Sequence, residues 1–215
     1  MQIDRAEISR YLGYGRRVPD PAVSRKIEEA VALLEQKAAP HALWAAYPVS
    51  IAGATVKLGP LSVQSAALSR HLRGCVQACL FAATLGPAPD RLQQKAEVQN
   101  MALALTLQAA AAMIEAYCYE EAERLAAHFA PKKLYLRPRF SPGYGDFPLS
   151  FQPVLLRALD APKRIGLTCT QSCLLAPTKS VTAVIGLSAA PASAQTACAG
   201  KCASCENKTC PYRLS

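Results

Sequence analysis

The residue types in segment 137–148 are those of a ligand-binding loop. Its prolines and glycines exclude a regular helix or a central strand, because proline fixes φ and lacks an N–H group. A proline before Gly143 would leave main-chain N–H groups exposed, and Arg139 could donate forked hydrogen bonds to a carboxylate or a phosphate. A surface turn with a solvated arginine is the alternative. Two aromatic residues close to the arginine, Tyr144 and Phe147, favour a binding loop.

A single carboxylate follows the longest apolar run of the chain. This run, 101–114, is mostly alanine and leucine, and Glu115 comes directly after it as the only charge between Glu97 and Glu120. Small residues allow close approach of backbones, so we expect a central helix that is surrounded on most sides. Burying an unpaired charge costs several kcal/mol, so Glu115 has either a partner or access to solvent where the helix emerges. The residues alone leave both alternatives open.

Four cysteines at the end of the chain form the strongest metal-binding signal: Cys198, Cys202, Cys205 and Cys210. Four thiolates on one centre can order a segment that is too short and polar to form a core. Exposed free thiols would instead be oxidised or cross-linked. The compact spacing, which ends in Cys-Pro, is closer to that of a ferredoxin 4Fe-4S cluster than to the widely separated pairs of a zinc site. We favour the cluster and keep zinc as the alternative.

Four short segments, in order along the chain, share a pattern with one known family. They are Arg10-Tyr11-Leu12-Gly13-Tyr14, Ala82-Ala83-Thr84-Leu85-Gly86, Arg139-x-x-Pro142-Gly143-Tyr144, and Thr170-x-Ser172 through Pro177-x-Lys179-Ser180-Val181. Together they resemble the activation domain of cobalamin-dependent methionine synthase, which binds S-adenosylmethionine (SAM). The likeness is to free-standing bacterial forms of that domain and covers roughly residues 5 to 190.

The resemblance implies a site for SAM. Glu115 would hold the amino acid or the amino group of SAM, and Arg139 would hold its carboxylate. Main-chain groups of Ser141 and Gly143 would contact the adenosyl portion, and Tyr144 would face the corrin ring. The chain departs from the longer enzyme by having Gly-Asp after this tyrosine and a cysteine tail in place of further helices.

The resemblance also implies partners. A cobalamin-binding methionine synthase that lacks its own activation domain would bring the corrinoid, because no Asp-x-His-x-x-Gly sequence is present here. A flavodoxin or a ferredoxin would supply the electron, and cob(II)alamin would be reductively methylated to methylcobalamin. The alternative function is an iron-sulfur electron-transfer or docking module that serves a corrinoid protein without binding SAM, or a scaffold that has lost its ligand.

Composition limits the other function classes. With 215 residues, 51% of them hydrophobic, the chain can form one body, 1–188, followed by a linker, 189–197, and a cysteine-rich tail, 198–215. The net charge of +9 comes from scattered basic residues, which predicts a basic surface and no nucleic-acid partner. We expect a cytoplasmic protein with reduced thiols and no membrane span, because no export signal or long apolar segment is present.

Periodicity predicts an α+β fold, in which several helices pack with the central alanine-rich helix on a mainly antiparallel sheet. Helices are expected at 4–12, from 21 onward after an Asp20 cap and with Ile27 and Leu34 on the apolar face, from a Ser62 cap to 72, at 91–129 with a possible break, and from a Ser150 cap to 159. Strands are expected as a hairpin at 48–58, with Val49, Ile51 and Val56 facing inward, and at 75–83, 163–170 and 180–188, the last two pairing as neighbours. No nucleophile with an adjacent base is evident.

Overall fold

The computed structural model describes residues 3–14, 17–96 and 100–191. The four tail cysteines and most of the predicted linker lie outside these ranges. The helices are α1 (Arg5–Tyr11), α2 (Pro21–Lys37), α3 (Ala66–His71), α4 (Ala88–Ala96), α5 (Asn100–Phe129), α6 (Gln152–Ala158) and α7 (Ala161–Ile165), with 3-10 turns at Ala130–Lys132 and Leu149–Phe151. The strands are β1 (His41–Ala52), β2 (Thr55–Leu58), β3 (Leu61–Gln64), β4 (Cys75–Thr84), β5 (Tyr135–Phe140), β6 (Thr168–Cys169), β7 (Leu175–Ala176) and β8 (Ser180–Ser188).

The main sheet is antiparallel, with the strand order β3-β2-β1-β4-β8-β5. Strand β4 lies at its centre, and its side chains alternate between two apolar layers. Cys79 and Phe81 pack into the layer formed with α1, α2 and α5, whereas Leu80 and Ala82 pack into the layer formed with α3, α6 and α7. Helices therefore cover both faces, which confirms the predicted α+β class and explains why the β4 sequence is almost wholly apolar.

Helix α5 lies on one face of the sheet, where it packs against α1, α2 and α4 as well as β4, β5 and β8. Ala109 and Ala112 are fully buried, because residues without a long side chain let neighbouring elements approach closely. The central alanine-rich helix is thus confirmed. Edge strand β5 brings Arg139 alongside this helix, and no central strand passes through the proline-rich segment, as predicted.

Local sequence rules explain α2. Asp20 accepts hydrogen bonds from the N–H groups of Ala22 and Val23, at 2.9 and 3.0 Å, and the following proline is tolerated in the first turn. Ile27 and Leu34 lie on the same face of the helix, two turns apart, and both are buried. The predicted start and inward face of this helix are confirmed.

The helix predicted at 62–72 was wrong in its first part. Leu61–Gln64 is a strand, and Val63 pairs with Val56 across the β2–β3 ladder. The helix begins only after Ser65, whose hydroxyl accepts from the Leu68 N–H at 3.0 Å, so Ser62 is not its cap. Cross-strand pairing with a buried valine outweighed the capping signal of an earlier serine.

The strand predicted at 163–170 was also wrong. Ala161–Ile165 is a helix with a proline in its first turn, and Gly166 ends it with a φ of +65°. Only Thr168–Cys169 is extended, and it pairs with β7 rather than with β8. Strand β8 is confirmed, but its neighbours are β4 and β5.

The remaining predictions need smaller changes. The hairpin is confirmed, although β1 begins at His41, and Ile51 is 37% exposed rather than inward-facing. Ser150 lies within a 3-10 turn and does not cap α6.

Within the described residues, none of the helices combines the length and the apolar character that crossing a bilayer requires.

Candidate ligand-binding groove

A groove of about 620 Å³ lies between the second half of α5 and edge strand β5. Ligand pockets in proteins typically measure about 300 to 1,000 Å³, so the groove has room for a small organic ligand. Residues from strands β7 and β8, from α6 and from the loop after β5 form the rest of its wall. Its lining includes Glu115, Tyr119, Glu123, Arg137, Arg139, Ser141, Tyr144, Gln152, Leu175, Ser180 and Thr182. Four of the five predicted ligand-binding residues thus line one groove, and Gly143 lies in the adjoining loop.

Glu115 and Arg139 form an ion pair in this groove. The Arg139 Nη2 atom donates to Glu115 Oε2 at 2.7 Å, with side-chain exposures of 18% for the arginine and 34% for the glutamate. The arginine also lies over the ring of Tyr119, 5.2 Å from its centroid. The carboxylate at the end of the apolar run therefore has a partner, which decides between the two alternatives that the sequence left open.

Charges around Arg139 keep its guanidinium protonated. Burial acts to lower the pKa of Arg139, but the Cys118 thiolate that forms at high pH and the Glu115 carboxylate raise this pKa above its ordinary value. Burial in turn raises the pKa of the Cys118 thiol to about 12, so this cysteine is protonated at neutral pH. The ion pair thus presents one positive and one negative group to the groove, and the thiol beside it is not a reactive nucleophile.

The loop after Arg139 is closed by its own hydrogen bonds. The Gly143 N–H donates to the Phe147 carbonyl at 2.8 Å, and the Tyr144 N–H donates to the Ser141 carbonyl at 3.0 Å. The expectation of outward-pointing N–H groups was therefore wrong, because the turn uses them itself. Gly143 has a φ of +93°, which other residues rarely adopt. A ligand contact at Gly143 would have to use its carbonyl oxygen.

Aromatic packing holds the loop against the body. Phe147 is 1% exposed, stacks on Phe140 with a centroid distance of 6.2 Å and contacts the tilted ring of Phe151 at 5.3 Å. Phe147, one of the two aromatic residues that indicated a binding loop, is therefore a core residue and is not available to a ligand. Tyr144, by contrast, is 50% exposed at the rim of the groove and contacts the edge of Phe140. Of these two aromatic residues, one anchors the loop and the other faces outward.

Asp146 fastens the same loop to the start of α3. Its carboxylate accepts from the Ser65 hydroxyl at 2.6 Å and from the N–H groups of Ala66 and Ala67 at 2.8 and 2.9 Å. These hydrogen bonds lower the pKa of Asp146 to about 2. At Gly145 a Cβ would lie 2.8 Å from the Ala67 Cβ, so glycine permits the close approach. The Gly-Asp pair that departs from the longer enzyme thus has a structural role.

Replacing Asp146 with Asn should reduce stability in a pH-dependent way. An amide keeps only one acceptor oxygen, so at least one hydrogen bond to α3 is lost. Because the folded pKa lies below the unfolded value of about 3.9, the carboxylate stabilises the fold above about pH 4, and this stabilisation is lost as pH falls toward about 2. Thermal unfolding of both proteins across this range should show melting temperatures that converge at low pH. A constant difference would contradict the assignment.

Several groove residues were not found from the sequence. Tyr119 stands one helical turn after Glu115, and this spacing could have placed both on one face. Gln152 is 5% exposed and donates from Nε2 to the Cys173 carbonyl at 2.7 Å, which ties the β6–β7 hairpin to the groove wall. Thr182 contacts the same glutamine. Nothing local in the sequence marks these last two residues as neighbours.

The predicted metal ligands Cys198, Cys202, Cys205 and Cys210 lie outside the described residues. Within those that are described, no group of three or more potential metal ligands occurs. Cys79 is fully buried in the core, and burial raises the pKa of its thiol to about 12. Cys75 and the hairpin cysteines, Cys169 and Cys173, are free thiols of intermediate exposure.

No protein-family model matches the sequence, and no curated protein matches it. Among solved structures, the chain is similar to the MetH reactivation domain bound to AdoHcy, with a TM-score of 0.63 and 19% sequence identity. The match covers 86% of this chain and 73% of the other. The two proteins share a fold, which confirms the fold family expected from the sequence motifs.

Proposed function

We propose that this protein is a SAM-binding reactivation partner of a separate cobalamin-dependent methionine synthase. The observation that carries the proposal is the convergence of Glu115, Arg139, Ser141 and Tyr144 on one groove. The family resemblance implies a SAM-binding role for these residues, and the fold is shared with a domain whose structure contains AdoHcy. AdoHcy lacks the transferable methyl group of SAM, and with it the sulfonium charge, but it keeps the same amino-acid and adenosyl ends, so one groove can accept both.

The residues of the groove fit such a ligand. Its amino-acid end carries an ammonium and a carboxylate, which match the charges of Glu115 and Arg139. The adenine ring at its other end has flat faces, and Leu175 and the exposed ring of Tyr119 offer contact area for them within the groove. Tyr144 at the rim would face the corrinoid of the partner.

In this function the protein positions its ligand and does not itself react. When bound, SAM supplies the methyl group that returns reduced cobalamin to methylcobalamin. Arg139 and Glu115 orient the amino-acid end, and the loop pinned by Phe147 fixes the rim against which the partner docks. The buried Cys118 thiol keeps its proton and takes no part. The partner would carry the corrinoid, and a flavodoxin or ferredoxin would donate the electron.

Wild-type protein is expected to bind SAM and AdoHcy, with or without a cobalamin-loaded methionine synthase that lacks its own activation domain. Isothermal titration calorimetry with each ligand measures this directly. Binding of that partner without SAM or AdoHcy binding in either state would overturn the proposal. The electron-transfer or docking function would then take its place.

The cysteine tail is the basis of a separate proposal, which rests on the sequence. Cys198, Cys202, Cys205 and Cys210 would hold a 4Fe-4S cluster, or else zinc, at the end of the chain. A cluster there could pass an electron toward the corrinoid, whereas zinc would only order the tail. The two centres differ in visible absorption, so a spectrum of anaerobically purified protein distinguishes them.

Cys205→Ser should release the metal centre without unfolding the body. The Ala/Pro/Ser linker separates the two parts, so loss of one ligand should leave the core in place. Metal analysis should show loss of iron or zinc, and the melting temperature of the body should stay unchanged. Cys79→Ser in the core provides the opposite pattern as a control: metal retained and stability lowered. If the wild-type protein contains neither metal and its tail thiols titrate as free, the tail assignment is wrong.

A further inference from the structure

The β6–β7 hairpin carries two cysteines beside the groove. Cys169 pairs directly opposite Leu175, and Cys173 lies in the turn that joins the two strands, where its N–H donates to the Thr170 carbonyl at 2.9 Å. Alternate residues of a strand share a face, so Cys173 and Leu175 lie on the side of Cys169, while Leu174 is 63% exposed on the other side. Both thiols are free and of intermediate exposure. The hairpin thus holds two thiols on one face.

Electrostatic interactions place these two thiols next to each other and next to a cation. Burial and Cys173 raise the pKa of Cys169, and Arg157 on α6 lowers it. Such interactions weaken with distance, so the two thiols and the guanidinium are neighbours. A cation beside a thiol pair favours the thiolate, which is the form that reacts with a disulfide.

We propose that Cys169 and Cys173 form a reversible oxidation site whose disulfide state changes the wall of the groove. The oxidant is a low-molecular-weight disulfide such as oxidised glutathione. One cysteine thiolate attacks this disulfide and releases one thiol, and the second cysteine then displaces the other thiol from the mixed disulfide. The protein loses two electrons and two protons, and the small disulfide is reduced to two thiols.

Closing the bond requires the turn to move. Diagonal neighbours across a hairpin have Cα atoms about 7 to 8 Å apart, whereas a disulfide usually holds its Cα atoms within about 7 Å. Cys173 must therefore approach Cys169. Since Cys173 is in the turn and Cys169 is in a paired strand, the larger movement is expected at Cys173.

The turn is connected to the groove by one hydrogen bond. Gln152, which is 5% exposed and lines the groove, donates from Nε2 to the Cys173 carbonyl at 2.7 Å. Leu175, opposite Cys169, lines the same groove. Movement of Cys173 weakens the Gln152 contact and shifts this part of the wall. The contact therefore stabilises the reduced hairpin, and oxidation should lower the affinity of the groove for its ligand.

The first test needs no ligand. Wild type is equilibrated with mixtures of reduced and oxidised glutathione, its free thiols are alkylated, and the tryptic peptide 165–179, which contains these two cysteines and none of the tail cysteines, is weighed by mass spectrometry. The peptide should convert to a form that is lighter by two hydrogen atoms and carries no alkyl group. A peptide that keeps both thiols, or carries only glutathione adducts, in oxidised glutathione would refute the site.

Gln152→Ala tests the connection to the groove. Without the contact that favours the reduced hairpin, the equilibrium constant for disulfide formation should rise about two- to tenfold. Gln64→Ala is the matched control, because Gln64 donates its own side-chain hydrogen bond to Thr55 in the distant β2–β3 hairpin. It should leave the equilibrium constant unchanged. Thermal melts establish that both variants are folded.

The second test measures AdoHcy binding by calorimetry and rests on the proposed function. Oxidised wild type should bind AdoHcy about three- to tenfold more weakly than reduced wild type. The double variant Cys169→Ser/Cys173→Ser keeps the tail cysteines, so it separates any effect of their oxidation, and its affinity should be the same after both treatments.

The outcomes separate this proposal from the proposed function. If the disulfide forms but changes neither AdoHcy affinity nor the equilibrium constant in Gln152→Ala, the connection to the groove is refuted, while AdoHcy binding leaves the proposed function standing. If wild type binds no AdoHcy in either state, the proposed function falls, and the shift in Gln152→Ala decides the connection. If Gln152→Ala does not fold, the AdoHcy comparison decides it.

Discussion

Arg139→Ala should weaken binding of SAM about ten- to hundredfold. A charge-assisted hydrogen bond to a ligand carboxylate contributes about 1.5 to 3 kcal/mol, and its loss raises Kd by that factor. Arg139 lines the groove and is held by both Glu115 and Tyr119, so its position is already defined before a ligand arrives. Arg139→Lys should recover little of the affinity, because lysine offers a point charge rather than a planar fork. Calorimetry with SAM measures both variants.

The control for this prediction is Arg124→Ala. Arg124 is 67% exposed, pairs with Glu121 on the surface of α5 and does not line the groove. The substitution removes the same charge from the same region of the protein, so it should change Kd by less than about twofold. An equal loss of affinity in both variants would mean that Arg139 acts only through net charge.

Phe147→Ala should be the most destabilising single change in the loop, at about 3 to 5 kcal/mol. The ring is 1% exposed and stacks on Phe140 and Phe151, so truncation leaves a cavity that the surrounding layer cannot fill. For a protein of this size, the melting temperature should fall by roughly 6 to 20 °C. Urea unfolding followed by circular dichroism gives the free energy of unfolding.

Leu149→Ala tests whether this loss comes from burial. Leu149 is in the same loop but 42% exposed, so its truncation should cost less than about 1 kcal/mol. Comparable losses of unfolding free energy in the two variants would show that the loop stabilises the protein through its backbone conformation rather than through the burial of Phe147. The Phe147→Ala variant should also bind SAM less tightly, because the positions of Ser141 and Tyr144 in the groove depend on the packing of this loop.

Sequence alone determined the features whose causes lie within a few residues. Asp20 and the following proline begin α2, and the uniform apolar character of β4 marks a strand that is covered on both faces. The α+β class and the fold family followed from periodicity and from four short motifs. Glu115 and Arg139 could be singled out because a charged residue is unusual where each of them stands.

Only the tertiary structure decided how these residues meet. Glu115 and Arg139 are 24 positions apart, and their pairing depends on α5 lying beside edge strand β5. The start of α3 is fixed by Ser65 together with Asp146, about 80 positions away, rather than by Ser62. Phe147 is buried because Phe140 and Phe151 converge on it. Hydrogen bonds and packing between distant segments outweigh local preferences of a few tenths of a kcal/mol to about 1 kcal/mol, and such contacts leave no mark within a short stretch of sequence.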